Sequence, residues 1–443
     1  MMSWTHRPWA WLLAVLNLGL FVALIAQAGL DDDFLSGAAL AAGGLAYSLM
    51  ATNLLLAIRL PVLEHMFGPI DRLYVAHRII GTAIVAVIGL HLTLIPIASL
   101  VDRQEGLLDS PSPAIPLGVL GALVIFGSVA LALNPKIPYH RWQPFHMAVA
   151  GGFVLLTIHF VVGGSEWISL ASPGGVLLFV FMVIGLLSMV LRLVGRGRGG
   201  LRYRIISVTP RERAVEVVMA PVSRSLNPHR PGQFIFLTAK PGGQRETHPF
   251  SLTSRSSGSE VSVLIRPSGD WTELVQTGLE IGDEVALSGP FGGFTPSASD
   301  GAPAFQVWVA AGAGITPFLS VLRTARADKV KPGMSTSVEL VYIARNPKDA
   351  PCWYEITELE RQLPWLRIHP WFSEETGRPS PEKIRELVED LPSESVWYLC
   401  GPKHVSAMFT KEIRSATGAV IHREAYQWRA GVSTRPGKPT GVR

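Results

Sequence analysis

The chain has 443 residues, 48% hydrophobic and 16% charged, with a mean hydropathy of +0.30; it is too apolar to be wholly soluble and long enough for two or three domains. Its two cysteines, Cys352 and Cys400, exclude a disulfide framework or a cysteine-ligated cluster. The net charge of +5 calls for no nucleic acid, because the basic residues gather at the ends of apolar runs, where membrane topology explains them.

The first apolar run follows Arg7 and has the flanks of a signal peptide. It is longer than the usual signal core and another span follows closely, so it reads as an uncleaved helix. Six membrane helices are predicted at about 9–30, 35–58, 73–97, 115–133, 145–162 and 174–194. Arg7, Arg59, Arg72, Lys136, Arg141, Arg192, Arg196, Arg198, Arg202 and Arg204 then fall on one side. The other side carries Asp31, Asp32, Asp33, Asp102, Glu105, Asp109 and Glu166, with Arg103 as its fixed cation. The positive-inside rule puts both termini and everything after Val194 in the cytoplasm.

The third and fifth spans each carry two histidines, His77 with His91 and His146 with His159. An imidazole in hydrocarbon is costly without a partner. At a rise of about 1.5 Å per residue, His77 and His91 lie roughly 20 Å apart and about 40° from facing the same way, one near each membrane surface. Neutral imidazole is a good axial ligand for iron. Two such helices are therefore expected to clamp two bis-histidine hemes, His77 with His146 on the cytoplasmic side and His91 with His159 on the outer side. The alternative is that each ring hydrogen-bonds across a helix interface. The second pair is one residue closer, which places His159 about 140° round from His146 on an ideal helix; local overwinding or different rotamers must correct this, with the distortion expected at Gly151-Gly152. Arg59, Arg72 and Arg78 are candidates for heme propionates, or are topology anchors.

After the basic hinge GRGRGG at 195–200 the pattern changes to short β-branched segments, RYRIISVTP, AVEVVMAP, GQFIFLTA, EVSVLIRP and DEVALSGP. These read as a small antiparallel barrel over about 201–294. From 304 onward strands and helices alternate, as in a parallel sheet that binds nucleotides at its strands' carboxyl ends.

Within the barrel, His248, Pro249, Phe250, Ser251, Leu252, Thr253 and Ser254 offer backbone and hydroxyl groups to a flavin edge, and Gly269, Asp270, Trp271 and Thr272 form a glycine turn with a hydroxyl for phosphate. Taken singly, each is also an ordinary turn between strands. Arg266, closing EVSVLIRP, is counted with the cofactor-binding residues. The turn Gly312-Ala313-Gly314-Ile315-Thr316-Pro317-Phe318 opens on glycines and places proline just inside a helix whose N-terminus is left for a pyrophosphate. Cys400, Gly401 and Pro402 end a later strand at the same sheet edge, where Cys400 is either a buried structural thiol or stands beside a nicotinamide. Arg345 and Arg378 suit a 2′-phosphate.

Taken together, the paired histidines, HPFSLTS, GDWT, GPFGGF, GAGITPF, GRP and LCGP occur in an order that resembles the NADPH oxidase and ferric reductase superfamily, in its compact prokaryotic NADPH oxidase type. The resemblance runs from the second helix to Trp428. It implies a six-helix heme-binding transmembrane bundle over 1–198, then a ferredoxin-reductase-like module with an antiparallel β-barrel FAD domain over 199–300 and an α/β NAD(P)H domain over 301–429, and a disordered basic tail over 430–443. It implies two b-type hemes, FAD and NADPH, with NADH possible. It also implies that Trp428, with Tyr426 second, covers the flavin. The expected protein is a multi-pass enzyme of a bacterial plasma membrane that moves electrons from cytosolic NADPH to outside oxygen, giving superoxide. Animal members have a histidine where this chain has Ile95, and place a cation by the outer heme where the outer half of the second helix here has no arginine. External ferric iron is therefore the alternative acceptor.

Overall fold

A computed structural model describes residues 8–28, 34–58, 61–101, 113–134, 137, 139–163, 168–169, 171–197, 200–226, 228–297, 302–327 and 336–424. The described residues divide into two compact units, one within 2–198 and one within 199–428.

The first unit is helical: α1 (Pro8–Ala28), α2 (Phe34–Leu56), α3 (Pro61–Phe67), α4 (Ile70–Val101), α5 (Ala114–Leu133), α6 (Tyr139–Gly163) and α7 (Pro173–Gly197). Six of these are long and apolar enough to cross a membrane, which matches the predicted spans. The short α3 was not predicted; Gly68 N–H bonds Glu64 O, and the Glu64 carboxylate accepts the Ile70 N–H at 2.8 Å, turning the chain into α4. Helix α2 is the interior one, burying Ala39, Ala41, Ala42, Gly44, Ala46, Tyr47, Ser48 and Ala51. Small residues let neighbouring backbones approach where lipid gives no hydrophobic drive between helices. Polar groups clamp it on both sides: Ser48 Oγ donates to Asn17 Oδ1 of α1 at 2.8 Å, and the Tyr47 and Thr157 hydroxyls meet at 2.9 Å. The Tyr47 ring stacks on Phe153 at 5.0 Å.

No break accompanies Gly151-Gly152. Helix α6 runs unbroken from Tyr139 to Gly163, and Gly152 instead packs closely on Val124 and Ile125 of α5.

The second unit opens with β1 (Leu201–Arg211), β2 (Ala214–Pro221), β3 (Phe234–Ala239), β4 (Glu246–Ser251), β5 (Val261–Ile265), helix α8 (Asp270–Gly278) and β6 (Glu284–Phe291). The strands form an antiparallel sheet in the order β4-β3-β6-β1-β2-β5. A bridge between Leu252 and Val263, with Thr253 N–H bonded to Ser262 O at 2.8 Å, joins the ends of the order and closes the barrel. Tyr203, Val217, Ile235, Val263 and Leu287 fill its interior.

Next come β7 (Phe305–Ala311), α9 (Thr316–Ala327), β8 (Ser337–Ala344), α10 (Trp353–Gln362), β9 (Leu366–Phe372), α11 (Ser373–Thr376), α12 (Pro381–Glu389), β10 (Val396–Cys400), α13 (Lys403–Ala416) and β11 (Ile421–Glu424). The five strands are parallel in the order β11-β10-β7-β8-β9. The chain moves outward from β7 to β9, then crosses back to β10, so the strand order reverses between β7 and β10. A crevice at the carboxyl ends of these two strands is where open α/β sheets bind their ligands.

Candidate functional site

In the membrane unit, the His77 and His146 rings face each other with centroids 6.1 Å apart and planes at 83°. Nitrogens about 2 Å from a shared ion, on opposite sides of it, put two imidazole centres roughly 6 Å apart. His91 and His159 lie within electrostatic reach of each other. Three of the four rings bond a neighbouring helix's carbonyl through Nδ1: His77 to Asn53 O at 3.2 Å, His91 to Ala39 O at 2.7 Å and His159 to Ala114 O at 2.8 Å. A carbonyl only accepts, so each bond fixes the Nδ1–H tautomer and leaves the Nε2 lone pair for a metal. His146 Nδ1 makes no bond of good geometry among the described residues, and the Ser128 backbone of α5 is the group within its hydrogen-bonding reach. Those residues contain no cluster of three or more His, Cys, Asp or Glu side chains fit to hold an ion. Facing imidazole pairs suit a metal whose other positions are filled by a macrocycle, so the residues present fit heme.

Sequence reasoning missed several of the groups around these rings. The acceptor carbonyls belong to α2 and α5, and only the alanine and glycine runs there signal a close approach. Arg192 donates to Ala57 O at 2.6 Å and lies within electrostatic reach of both His77 and His146. It is thus better placed for a propionate than Arg78, which is exposed; Arg59 lies outside the described residues.

In the barrel, His248, Pro249 and Phe250 are half-buried on β4, which the register pairs with β3. That leaves the opposite backbone edge for a planar ligand. Ser251 and Thr253 are buried, and the Thr253 hydroxyl bonds Ser262 Oγ at 2.8 Å. Ser254 Oγ is buried without a hydrogen-bond partner among the described residues; a hydroxyl so placed at the end of this run fits a polar ligand group. Trp271 is 4% exposed and stacks on His248 at 4.4 Å, so it shapes the β4 edge from beneath. Thr272 corrects an expectation. Its hydroxyl accepts the N–H groups of Ser268 and Gly269 at 2.8 and 3.1 Å, capping α8, so of this turn's backbone the Asp270 N–H is the donor left to face a phosphate.

In the parallel sheet, Gly312 leaves β7 with φ +54°, and Thr316 and Pro317 open α9. A Cβ at Gly314 would collide with the Cys400 carbonyl, so glycine is what lets the two switch-point loops interlock. The Arg266 guanidinium comes across from the end of β5, and a Cβ at Gly312 would lie 2.7 Å from its Nη1. It supplies a cation beside the glycine turn. Cys400 is 2% exposed, with Gly401 and Pro402 leading into α13.

The matching family models agree with this geometry. Residues 42–157 match the ferric reductase like transmembrane component, 203–293 an FAD-binding domain and 308–411 an oxidoreductase NAD-binding domain. Together the three matches support a place in the NADPH oxidase and ferric reductase superfamily. Among similar proteins, the reductase component of propane 2-monooxygenase from Rhodococcus jostii (strain RHA1) is 32% identical over 217 residues, covering 46% of this chain and 56% of that one. NADPH oxidase 3 of Rattus norvegicus is 27% identical over 233 residues, covering 42% and 41%. The chain thus spans about half the length of these relatives or less. The FAD/NAD-binding domain of nitric oxide dioxygenase from Vibrio cholerae O1 biovar El Tor aligns with a TM-score of 0.43 at 23% identity, over 51% of this chain and 98% of that structure.

The chain pairs six helices long and apolar enough to cross a membrane with a ferredoxin-reductase-like module. The seam between the module's two domains is ionic. Arg323 of α9 bonds Glu216 of β2 at 2.5 Å and Glu355 of α10 at 2.7 Å, and Arg211 adds a bond to Glu216 at 2.8 Å. Burial alone would raise the Glu216 pKa, but the bonds from Arg323 and then Arg211 outweigh it and hold the carboxyl below its ordinary value. Ser320 Oγ donates to Ser254 O across the same seam at 2.7 Å. Nearby, burial pushes the Cys352 thiol up to about 12, so it stays protonated and inert. Arg345 follows β8 and lies 3.5 Å from Asp349. Arg378 follows Gly377, whose carbonyl accepts the Trp371 indole N–H at 3.0 Å. Trp428 and Tyr426 lie outside the described residues.

Proposed function

We propose that this chain carries electrons from cytosolic NAD(P)H across a membrane to an acceptor on the far side, with oxygen reduced to superoxide. The observation that carries this reading is the facing His77 and His146 pair, on membrane helices of a chain whose remainder is a flavin and nucleotide module. When bound, NAD(P)H supplies a hydride, FAD converts two-electron to one-electron chemistry, and two b-type hemes carry single electrons through hydrocarbon.

The chain's own residues position these groups. His77 with His146, and His91 with His159, hold two irons by Nε2. The β4 edge from His248 to Phe250, with Ser254, orients the flavin, and the Gly269 turn takes its phosphates. Gly312, Gly314 and the N-terminus of α9, with Arg266 beside them, seat the pyrophosphate of the second nucleotide. Cys400 stands at the nicotinamide, Arg345 and Arg378 at the 2′-phosphate, and Trp428 or Tyr426 over the flavin. Both termini and the reductase module lie in the cytoplasm of a bacterial cell.

External ferric iron is the second reading. The uncharged α2, and Ile95 four residues beyond His91, favour it as the departures from animal oxidases.

The test is anaerobic addition of NADPH to purified, FAD-supplemented full-length protein. Heme reduction followed by rapid reoxidation with oxygen, with superoxide abolished by superoxide dismutase, is expected. Slow reoxidation by oxygen but fast reoxidation by ferric chelate favours the second reading. Protein without a Soret band refutes both.

A further inference from the structure

His91 and His159 rest on the same seat built twice, on different helices. His91 Nδ1–H donates to Ala39 O at 2.7 Å, and a Cβ at Gly43, four residues further on, would lie 2.9 Å from His91 Nδ1 and Cε1. His159 Nδ1–H donates to Ala114 O at 2.8 Å, and a Cβ at Gly118, again four residues on, would lie 2.8 Å from Nδ1 and 2.9 Å from Cε1. This spacing has a geometric cause. Side chains on a helix lean toward its N-terminus, so the Cβ of residue i+4 shields the carbonyl of residue i. That carbonyl already holds one helical bond and has a second lone pair. Glycine at i+4 uncovers it, and an imidazole settles into the gap. The other two histidines lack this seat. His77 reaches Asn53 O at 3.2 Å, where the residue four positions on is Ala57, and the backbone within reach of His146 is that of Ser128, where the residue four positions on is Ala132.

We infer that Gly43 and Gly118 are positioning residues for the outer heme: by lacking a Cβ they permit the Nδ1–H bonds that fix the tautomer, ring plane and basicity of its two ligands. A bonded Nδ1–H makes Nε2 a stronger donor and favours ferric iron. Loss of the bond therefore moves that heme to a more positive potential or frees it. The inference rests on the two-heme reading above.

The experiment compares Gly43→Ala and Gly118→Ala in the full-length, FAD-loaded protein with Gly89→Ala and Gly127→Ala, where nothing lies within 4 Å of the added Cβ. Potentiometric titration of the Soret band is the readout. In the first two variants, one of the two reduction steps is expected to shift to more positive potential, or to vanish with half the heme, while the other step and the FAD content stay fixed; the controls match the parent. Unmoved steps in both variants overturn the inference and leave the two-heme reading standing. A parent without heme overturns both.

Should an added methyl instead unfold the bundle, a cycle with His91→Ala decides. Gly43→Ala is expected to cost no further thermal stability once the ring is gone. An undiminished cost would show that the glycine serves helix packing alone, and the inference fails.

Discussion

The carboxylate of Glu216 on β2 meets the guanidinium of Arg323 on α9 twice, Nη1 to Oε1 at 2.5 Å and Nη2 to Oε2 at 3.2 Å. The same cation bonds both oxygens of Glu355 on α10, each at 2.7 Å. With Glu216 5% and Arg323 14% exposed, one buried positive charge joins the barrel to the parallel sheet.

Removing that cation leaves Arg211 as the remaining partner of both carboxylates, at 2.8 Å from Glu216 and 3.7 Å from Glu355, and breaking a buried pair costs about 3 kcal/mol. Arg323→Met is expected to destabilise the reductase module by about that amount, read by denaturant unfolding of the FAD-loaded chain. The acid limb checks the cause. Glu216 titrates below its ordinary value of 4.5 in the folded state, so its contribution is complete above that value and is lost as pH falls through the lower folded one. In the variant, burial is opposed by Arg211 alone, so the folded value is less depressed and the acid-dependent loss is expected to be smaller.

The histidine pairing predicts a non-additive pattern. His77→Ala and His146→Ala are each expected to lose about half the heme, and the double variant no more, because both serve one iron. His77→Ala with His91→Ala is expected to lose nearly all of it. Pyridine hemochrome titration of purified protein reads these amounts, and a double loss from the first pair would refute the pairing.

Gly314→Ala forces a methyl into the Cys400 carbonyl and pushes apart the two loops at the switch point. A displacement of about 1 Å at a reacting centre costs on the order of 100-fold in rate. Flavin bleaching by NADPH under stopped flow is expected to slow by about that factor, with FAD content unchanged. Normal bleaching would show that the second nucleotide binds elsewhere.

Arg345 tests nucleotide choice. Arg345→Ala is expected to raise KM for NADPH about tenfold, the scale of one charge-assisted phosphate contact, and to leave NADH unaffected. Equal effects on both nucleotides would assign Arg345 to holding Asp349 instead.

The sequence made most of the architecture legible because period and composition change sharply at the hinge: the six spans, the barrel strands and FQVWVAA as β7 all stand where apolar runs or alternation put them. Helix α3 and strand β11 escaped because each is too short to show a period. A glycine in a helix pattern equally signals a change of winding or a near neighbour, and Gly152 has the neighbour. Histidines announced themselves by their cost in hydrocarbon. Their acceptors did not, because the carbonyls of Ala39, Asn53 and Ala114 belong to a backbone that every residue shares. Thr272 was assigned to phosphate from its hydroxyl alone, whereas the turn's own N–H groups claim it. Arg192 was counted only as topology, for nothing in its local sequence tells that α7 brings it beside His77 and His146.

Helix α2 holds no iron ligand, yet it meters the distance between the two levels of the bundle. Its acceptors Ala39 and Asn53 are separated by the same number of positions as the rings they receive, His91 and His77, running in the opposite direction. Inserting or deleting one residue between 39 and 53 would swing one acceptor about 100° away while every histidine stayed in place. Such a lineage would lose a pigment through a helix where a survey of ligands would see no change.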